Sequence, residues 1–147
     1  NAITDLKPLA GLKNVQSLDL SNNKIADVTP LAKLEKLQYL QLENNQVEKL
    51  DGLAGLKKLS AVYLSNNKVV SVAPLKGLEK LSSLYLDDNK VADLGPLKGL
   101  KWVANLALRN NDGRDAEAWA RTYLYRAGAA LLADRCQSSN EARKRPV

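Results

Sequence analysis

Histidine is absent from the 147-residue sequence, and cysteine occurs only once, at Cys136. The lack of histidine excludes imidazole metal sites, serine–histidine or cysteine–histidine nucleophile pairs, and histidine acid–base chemistry. A single cysteine cannot form an internal disulfide, so the fold does not depend on an oxidising compartment, and the cellular location stays open. Phenylalanine and methionine are also absent, and no apolar run is long enough to cross a membrane. The apolar 45% of the chain is therefore built mainly from leucine, valine and alanine.

Positive charge is in modest excess, with 22 basic and 16 acidic side chains and a net charge of +6. Residues 1–111 are rich in lysine and residues 112–147 in arginine, which indicates a change of module. A mild, mixed charge is typical of a solvated surface. The lysines recur without interleaved arginine or aromatic residues, so we predict solubilising edges and no nucleic-acid binding. They form two rows: Lys24, Lys68 and Lys90, and Lys36, Lys58 and Lys80.

One pattern recurs every 22 residues without insertion: three apolar residues, spaced three and then two apart, followed by an asparagine. In the first copy these are Val15, Leu18, Leu20 and Asn23, and the last copy ends at Asn111. Residues two apart in a strand point to the same side, so each copy predicts a short strand with one buried face. Stacked copies bury one another and form a parallel sheet. The asparagines predict a ladder that satisfies backbone groups of neighbouring turns.

The other half of each repeat carries an apolar residue at every third position, as at Ile25, Val28 and Leu31. This spacing predicts short 3₁₀ or loose helical turns rather than full α-helices. Pro30, Pro74 and Pro96 stand where proline can open such a turn, and Gly52 replaces proline in one copy.

The segment SLDLSNNKIADVTPLAKLEKL, residues 17–37, resembles the 22-residue repeats of leucine-rich-repeat proteins, and the bacterial internalin-like repeats most of all. The resemblance covers residues 1–111. It implies an α/β class, right-handed leucine-rich-repeat solenoid, with a parallel β-sheet on the concave face and short 3₁₀ or loop turns on the convex face. It also implies protein recognition, without indicating which protein is bound.

Three regions are predicted. Residues 1–111 hold the leucine-rich repeats, a partial first repeat followed by five strands. Residues 112–136 are expected to form a helical C-terminal cap, because Trp119, Tyr123, Ala127, Ala130 and Leu131 fall on one helical face. Residues 137–147 form a polar, basic tail. The chain begins inside a repeat, so we expect either further repeats or a cap in the parent protein, or an open edge used for contact.

No catalytic residue, metal site or cofactor is predicted, and we expect that the protein is not an enzyme. The neighbouring carboxylates Asp87 and Asp88 are expected to form a solvated strand end rather than an acid–base or cation site. Cys136 lies beside Arg135 but has no partner base. Trp102 is expected to pack under the C-terminal helix.

Binding is the favoured hypothesis. Residues that alternate with the buried leucines point outward on the concave face, and three of the five tyrosines of the chain are among them. We predict that a partner protein with a neutral or basic surface binds there, because tyrosine suits recognition surfaces and the face carries more acids than bases. The predicted anchors are Tyr39, Tyr63 and Tyr85, with Gln41, Glu43, Asp19, Asp87 and Arg109 around them. Tyr63 and Tyr85 are expected to stack as neighbours.

Two alternatives stay open. In the first alternative, the repeats are a structural spacer or oligomerisation segment of a larger protein, and the chain self-associates through the open N-terminal edge. In the second alternative, the chain is a regulatory subunit of an intracellular enzyme. Membrane insertion is not expected in either case.

Overall fold

The computed structural model describes residues 1–100 and 103–112, together with the backbone of residues 130–131. Within this part of the chain, short strands follow one another in sequence order in one parallel sheet. They are β1 (Ser17–Asp19), β2 (Tyr39–Gln41), β3 (Ala61–Tyr63), β4 (Ser83–Tyr85), β5 (Asn105–Ala107) and β6 (Ala130–Leu131). From β1 to β5 each residue pairs with the residue 22 positions further on, as Leu18 does with Leu40. The repeat length therefore sets the register, and the predicted solenoid is confirmed.

A short 3₁₀ helix lies in the other half of each described repeat. The bounds are Lys7–Gly11, Thr29–Lys33, Asp51–Leu53, Ala73–Leu75 and Gly95–Gly99. Proline is the second residue of four of them, where its fixed φ suits the turn and its missing N–H breaks no bond. The predicted 3₁₀ turns are confirmed. None of the helices described here has the length and apolar character needed to cross a bilayer.

A side-chain oxygen orders the start of four of these turns. Asp27 is typical, because its Oδ1 accepts a hydrogen bond from the backbone N–H of Thr29 at 2.9 Å. Asp5, Ser71 and Asp93 accept the equivalent bond one or more repeats away. The turn at Asp51–Leu53 differs, since Lys49 occupies the acceptor position and Gly52 replaces proline.

Gly52 is required by the close approach of the preceding repeat. A Cβ at this position would lie only 2.2 Å from the carbonyl oxygen of Val28 and 2.8 Å from the Cα of Thr29. No side chain fits there without moving the backbone, so glycine allows the backbone of this repeat to approach its neighbour this closely.

Leucine and valine fill the space between the sheet and the turns in one continuous core. Strand residues Leu40, Val62 and Leu84 are fully buried, and burial of each such side chain stabilises the fold by about 1.5–3 kcal/mol. Val15 and Leu18, at the β1 edge, are only partly buried because no described repeat covers them. Each rung is thus stable only through its neighbours.

The C-terminal region departs from the predicted helical cap where the structure describes it. Ala130 and Leu131 form β6 and pair in parallel with Asn105 and Leu106 of β5. The prediction of a helix at these two residues is therefore wrong. They extend the sheet because their pairing satisfies backbone groups at the edge of β5. The rest of the predicted cap at 112–136, Trp102, Cys136 and the tail at 137–147 lie outside the described residues, and those interpretations stay predictions.

Candidate functional site

A ladder of asparagine amides fixes the point where each strand turns away from the sheet. Asn67 Oδ1 accepts a hydrogen bond from the N–H of Val47 at 2.9 Å. Its Nδ2 donates to the carbonyl oxygens of Leu42 and Leu64 at 2.8 and 3.0 Å. The same three bonds recur one repeat away in either direction and at the last rung, at Asn45, Asn89 and Asn111. Each amide joins its own strand to the preceding repeat, and the predicted ladder is confirmed.

The residue before each ladder asparagine adopts a left-handed backbone conformation, which the sequence interpretation did not anticipate. The φ angles lie between 54° and 60° at Asn22, Asn44, Asn66, Asp88 and Asn110. Asparagine and aspartate tolerate this conformation better than other residues with a Cβ. The signal was present in the sequence, because only these two residue types occupy the position. This residue lies shortly after each strand, in the turn that leads the chain away from the sheet.

The tyrosines of the concave face lie together at the centre of the sheet. Tyr63 and Tyr85 are paired in the register of β3 and β4, and their rings stack with centroids 4.8 Å and planes 4° apart. The centroid distance equals the usual spacing of neighbouring strands, about 4.8 Å, so the sheet itself holds the rings in contact. Tyr39 lies on β2 and is 51% exposed, beside the buried Ala61. The predicted stacking is confirmed.

Two acidic side chains lie at the β1–β2 end of this face. Asp19 is exposed and is paired in register with Gln41. The backbone N–H of Ser21 donates to Asp19 Oδ1 at 2.9 Å, and this bond holds the pKa of Asp19 below its ordinary value. The Ser21 hydroxyl donates to Glu43 Oε2 at 2.9 Å. Ser21 thus orients both carboxylates at one end of the tyrosine cluster.

The prediction that Asp87 belongs to a solvated strand end is wrong. Asp87 is 7% exposed, and its Oδ1 accepts a hydrogen bond from the backbone N–H of Arg109 at 2.7 Å. Its Oδ2 accepts from Arg109 Nε at 3.0 Å and Nη2 at 2.7 Å. Asp88 is exposed, and its Oδ1 accepts a bond from Asn110 Nδ2 at 2.7 Å. The Asp87 and Arg109 charges therefore offset each other at the β4–β5 end of the face.

The concave face consequently changes in character along the solenoid. Carboxylates lie at the β1–β2 end, aromatic rings at β2–β4, and a neutralised ion pair at β4–β5. In the part of the chain that the structure describes, no three histidine, cysteine, aspartate or glutamate side chains are grouped so as to hold a metal ion. Backbone pairing between the strands and stacking of the tyrosine rings therefore fix the positions of the side chains on the concave face.

A family model described as leucine-rich repeat matches residues 16–134 of the chain. A comparison with curated protein sequences finds no match. The matched range includes all the strands of the described sheet.

Several solved bacterial structures are similar to this fold. An internalin of Listeria monocytogenes, InlF, is 31% identical with a TM-score of 0.73, over 74% of this chain and 32% of that protein. Internalin C2 of the same species is 43% identical with a TM-score of 0.71, over 71% and 46%. A leucine-rich-repeat protein of Leptospira interrogans is 23% identical with a TM-score of 0.71, over 84% and 38%, and shares the fold. The matched parts thus cover less than half the length of each of these proteins.

Proposed function

Because this chain belongs to the leucine-rich-repeat family, we propose that it is a non-enzymatic recognition module that binds a partner protein through its concave face. The observation that carries this proposal is the stacked Tyr63–Tyr85 pair, with the half-exposed Tyr39 on the neighbouring strand β2. Tyrosine combines a large apolar area with a polar tip and loses little side-chain entropy on binding. The stacked rings are already ordered before a partner arrives, which lowers the cost of binding further.

The charges around the tyrosines favour a partner with a neutral or basic surface. Asp19 and Glu43 lie at one end, whereas Arg109 is offset by Asp87 at the other. A basic group of the partner would therefore meet the β1–β2 end, and an apolar or aromatic group would meet the rings. Gln41 lies between these two regions, in register with both Asp19 and Tyr63.

A double variant tests the proposal. The partner is first recovered from the native source with the wild-type chain and purified, and its dissociation constant is then measured by calorimetry. Tyr63→Ala/Tyr85→Ala is expected to weaken binding by about 30-fold or more, as for the loss of a binding hot spot of at least 2 kcal/mol.

Val70→Ala is the matched control, because Val70 is 50% exposed and lies outside the concave face. It is expected to leave the dissociation constant unchanged. Circular dichroism establishes that both variants are folded. An unchanged dissociation constant for the folded tyrosine variant would eliminate the concave face as the binding surface.

Self-association is the second candidate, and the β1 edge favours it. In the described sheet β1 pairs only with β2, and Leu12 and Ile3 near this edge are more than 40% exposed. An open strand edge with apolar neighbours suits pairing with another chain. Light scattering over a range of concentrations decides: a monomer at the highest concentration contradicts this candidate and leaves the first untouched.

A further inference from the structure

One flank of the solenoid carries most of the positive charge of the repeats. This lysine flank consists of the segments that lead from the end of each 3₁₀ helix towards the next strand: residues 10–14, 32–36, 54–58, 76–80 and 98–100. Its charge is 8 − 2 = +6. The basic residues are Lys13, Lys33, Lys36, Lys57, Lys58, Lys76, Lys80 and Lys98, and the acidic ones are Glu35 and Glu79.

The opposite flank has no such excess. It consists of the segments that follow each strand exit: residues 2–7, 24–29, 46–51, 68–73, 90–95 and 112. Five lysines and six carboxylates give it a charge of 5 − 6 = −1. The positive charge is therefore segregated to one side, which a solubilising edge does not require, because lysines on both flanks would serve equally well.

Small residues leave open space between the lysines. A Cβ at Gly11 or Gly55 would meet no atom within 4 Å. At the β1 end, an open depression of about 860 Å³ has Ala10, Gly11 and Ala32 among its lining residues. Lys13, Lys33 and Lys36 also line it, and Glu35 supplies its one carboxylate.

Two ammonium groups of this flank, those of Lys57 and Lys36, hydrogen-bond to neutral oxygens of a neighbouring repeat. Lys57 Nζ lies over Gly77 and donates to its carbonyl oxygen at 3.2 Å. Lys36 Nζ donates to the neutral Asn14 Oδ1 at 2.7 Å. Among the described residues, no carboxylate lies within ion-pair distance of Lys57 or Lys36. The ion pair found in this part of the chain joins Asp87 and Arg109. An anion at the surface would therefore gain the charge of these two lysines without competing with an internal carboxylate.

We propose that the lysine flank binds a flexible linear phosphate polymer, which lies along the solenoid axis and is held by charge alone. Lys36, Lys58 and Lys80 occupy the same position in successive repeats, so they add one positive charge per rung, about 4.8 Å apart. Ammonium groups bind phosphate as point charges, without the fixed geometry of a guanidinium fork. Each contact releases counterions from the polymer, which makes binding depend steeply on salt.

The composition of the flank argues against other anionic partners. Its described segments contain neither arginine nor aromatic side chains, so bases of a nucleic acid would find nothing to stack on and no bidentate donor. Among the described residues of the flank, Leu12 is the large hydrophobic residue that is exposed. One such side chain gives little apolar area to insert into a lipid bilayer. The lysine flank does not overlap the tyrosine cluster, so this proposal does not depend on the recognition function.

Long-chain inorganic polyphosphate is the probe that tests it, with affinity measured from low salt to about 0.15 M ionic strength. The wild-type chain is expected to bind throughout this range. Lys36→Gln/Lys58→Gln/Lys80→Gln is expected to weaken binding at least tenfold and to reduce the slope of log affinity against log salt by about 2. The matched control is Lys24→Gln/Lys68→Gln/Lys90→Gln, which removes the same charge from the opposite flank and is expected to weaken binding less than about threefold.

Equal weakening by the two triple variants would overturn the proposal, because net charge alone would then explain binding. No binding of polyphosphate by the wild-type chain would overturn it too, as would binding to phosphatidylserine vesicles but not to polyphosphate. Gly55→Glu is a second test, since the site is open to a side chain. It places a carboxylate among the lysines and is expected to weaken binding as well, and it decides the matter if the lysine variant fails to fold.

Discussion

At the scale of the residue, the ladder asparagines are polar side chains on which the backbone depends. Each amide uses both its oxygen and its nitrogen on main-chain groups that bend away from the sheet and have no strand partner there. A buried N–H or carbonyl that loses its partner costs about 1–3 kcal/mol. The ladder therefore holds neighbouring repeats in register as well as satisfying the turn.

Asn67→Ala is expected to destabilise the chain by about 2 kcal/mol, because it leaves the Val47 N–H without its partner and removes one of the two amide donors of the Leu42 carbonyl, which keeps Asn45. Urea unfolding followed by circular dichroism measures the loss. Asn14→Ala is the control, since Asn14 is exposed, and its effect is expected to stay within about 0.5 kcal/mol. Equal effects of the two substitutions would show that the ladder bonds contribute nothing.

Asp27 provides a test by pH. The hydroxyl of Thr29, and after it the backbone N–H of Thr29, hold the pKa of Asp27 below its ordinary value. Because the folded pKa is the lower one, the stabilisation is present above the ordinary pKa of about 3.9 and is lost as the pH falls through the folded pKa.

Thr29→Val removes the hydroxyl and keeps the N–H, so it is expected to raise the pKa of Asp27 towards the ordinary value. Carboxyl-carbon NMR titration measures it, with Asp19 as the internal reference because its low pKa depends on Ser21. A pKa of Asp27 that does not move in the variant would show that the hydroxyl has no such effect.

Residue-level prediction from the sequence succeeded where one period governs the contact. The stacking of Tyr63 and Tyr85 follows from their 22-residue separation and the parallel register. The Asp87–Arg109 pair obeys the same 22-residue rule, but the pattern predicts only that both side chains lie on the concave face, and not that they form an ion pair. Its burial depends on how closely the two groups pack across the strands, which the pattern alone does not give.

At the scale of the element, the 3₁₀ turns show how local preference and stacking agree in most repeats and conflict in one. Proline and a preceding acceptor side chain favour the turn locally, as at Asp27 and Pro30. The turn at Asp51–Leu53 has neither, and its shape is imposed by the repeat packed against it. The β6 strand shows the same dominance of packing, since a helical pattern at Ala130–Leu131 yields to the sheet edge.

Substitution of two glycines near this turn distinguishes steric clash in the folded state from the loss of backbone freedom in the unfolded state. Gly52→Ala is expected to destabilise the chain by about 2 kcal/mol or more, because the new Cβ would strike the backbone of Val28. Gly55→Ala meets open space and is expected to be neutral or stabilising by up to about 1 kcal/mol. Thermal and urea unfolding compare the two. Similar stabilities for both variants would mean that the close approach at Gly52 relaxes at no cost.

At the scale of the whole molecule, a single repeat produces three surfaces of different chemistry. The concave face is aromatic and acidic, one flank is strongly basic, and the other flank is nearly neutral. The sheet, the turns and the concave positions follow from the 22-residue period, which is why the sequence predicts them well. The two rows of lysines hold three residues each, so the rows alone do not predict that positive charge is segregated to one flank.

The most direct test of the central claim is site-specific photocrosslinking of the purified partner. A photoreactive phenylalanine analogue is placed in turn at position 39, on the concave face, and at position 70, outside it. These two sites are matched, because Tyr39 is 51% and Val70 is 50% exposed. Recognition through the concave face predicts a crosslinked complex from position 39 and none from position 70. Crosslinking from position 70 alone would contradict it.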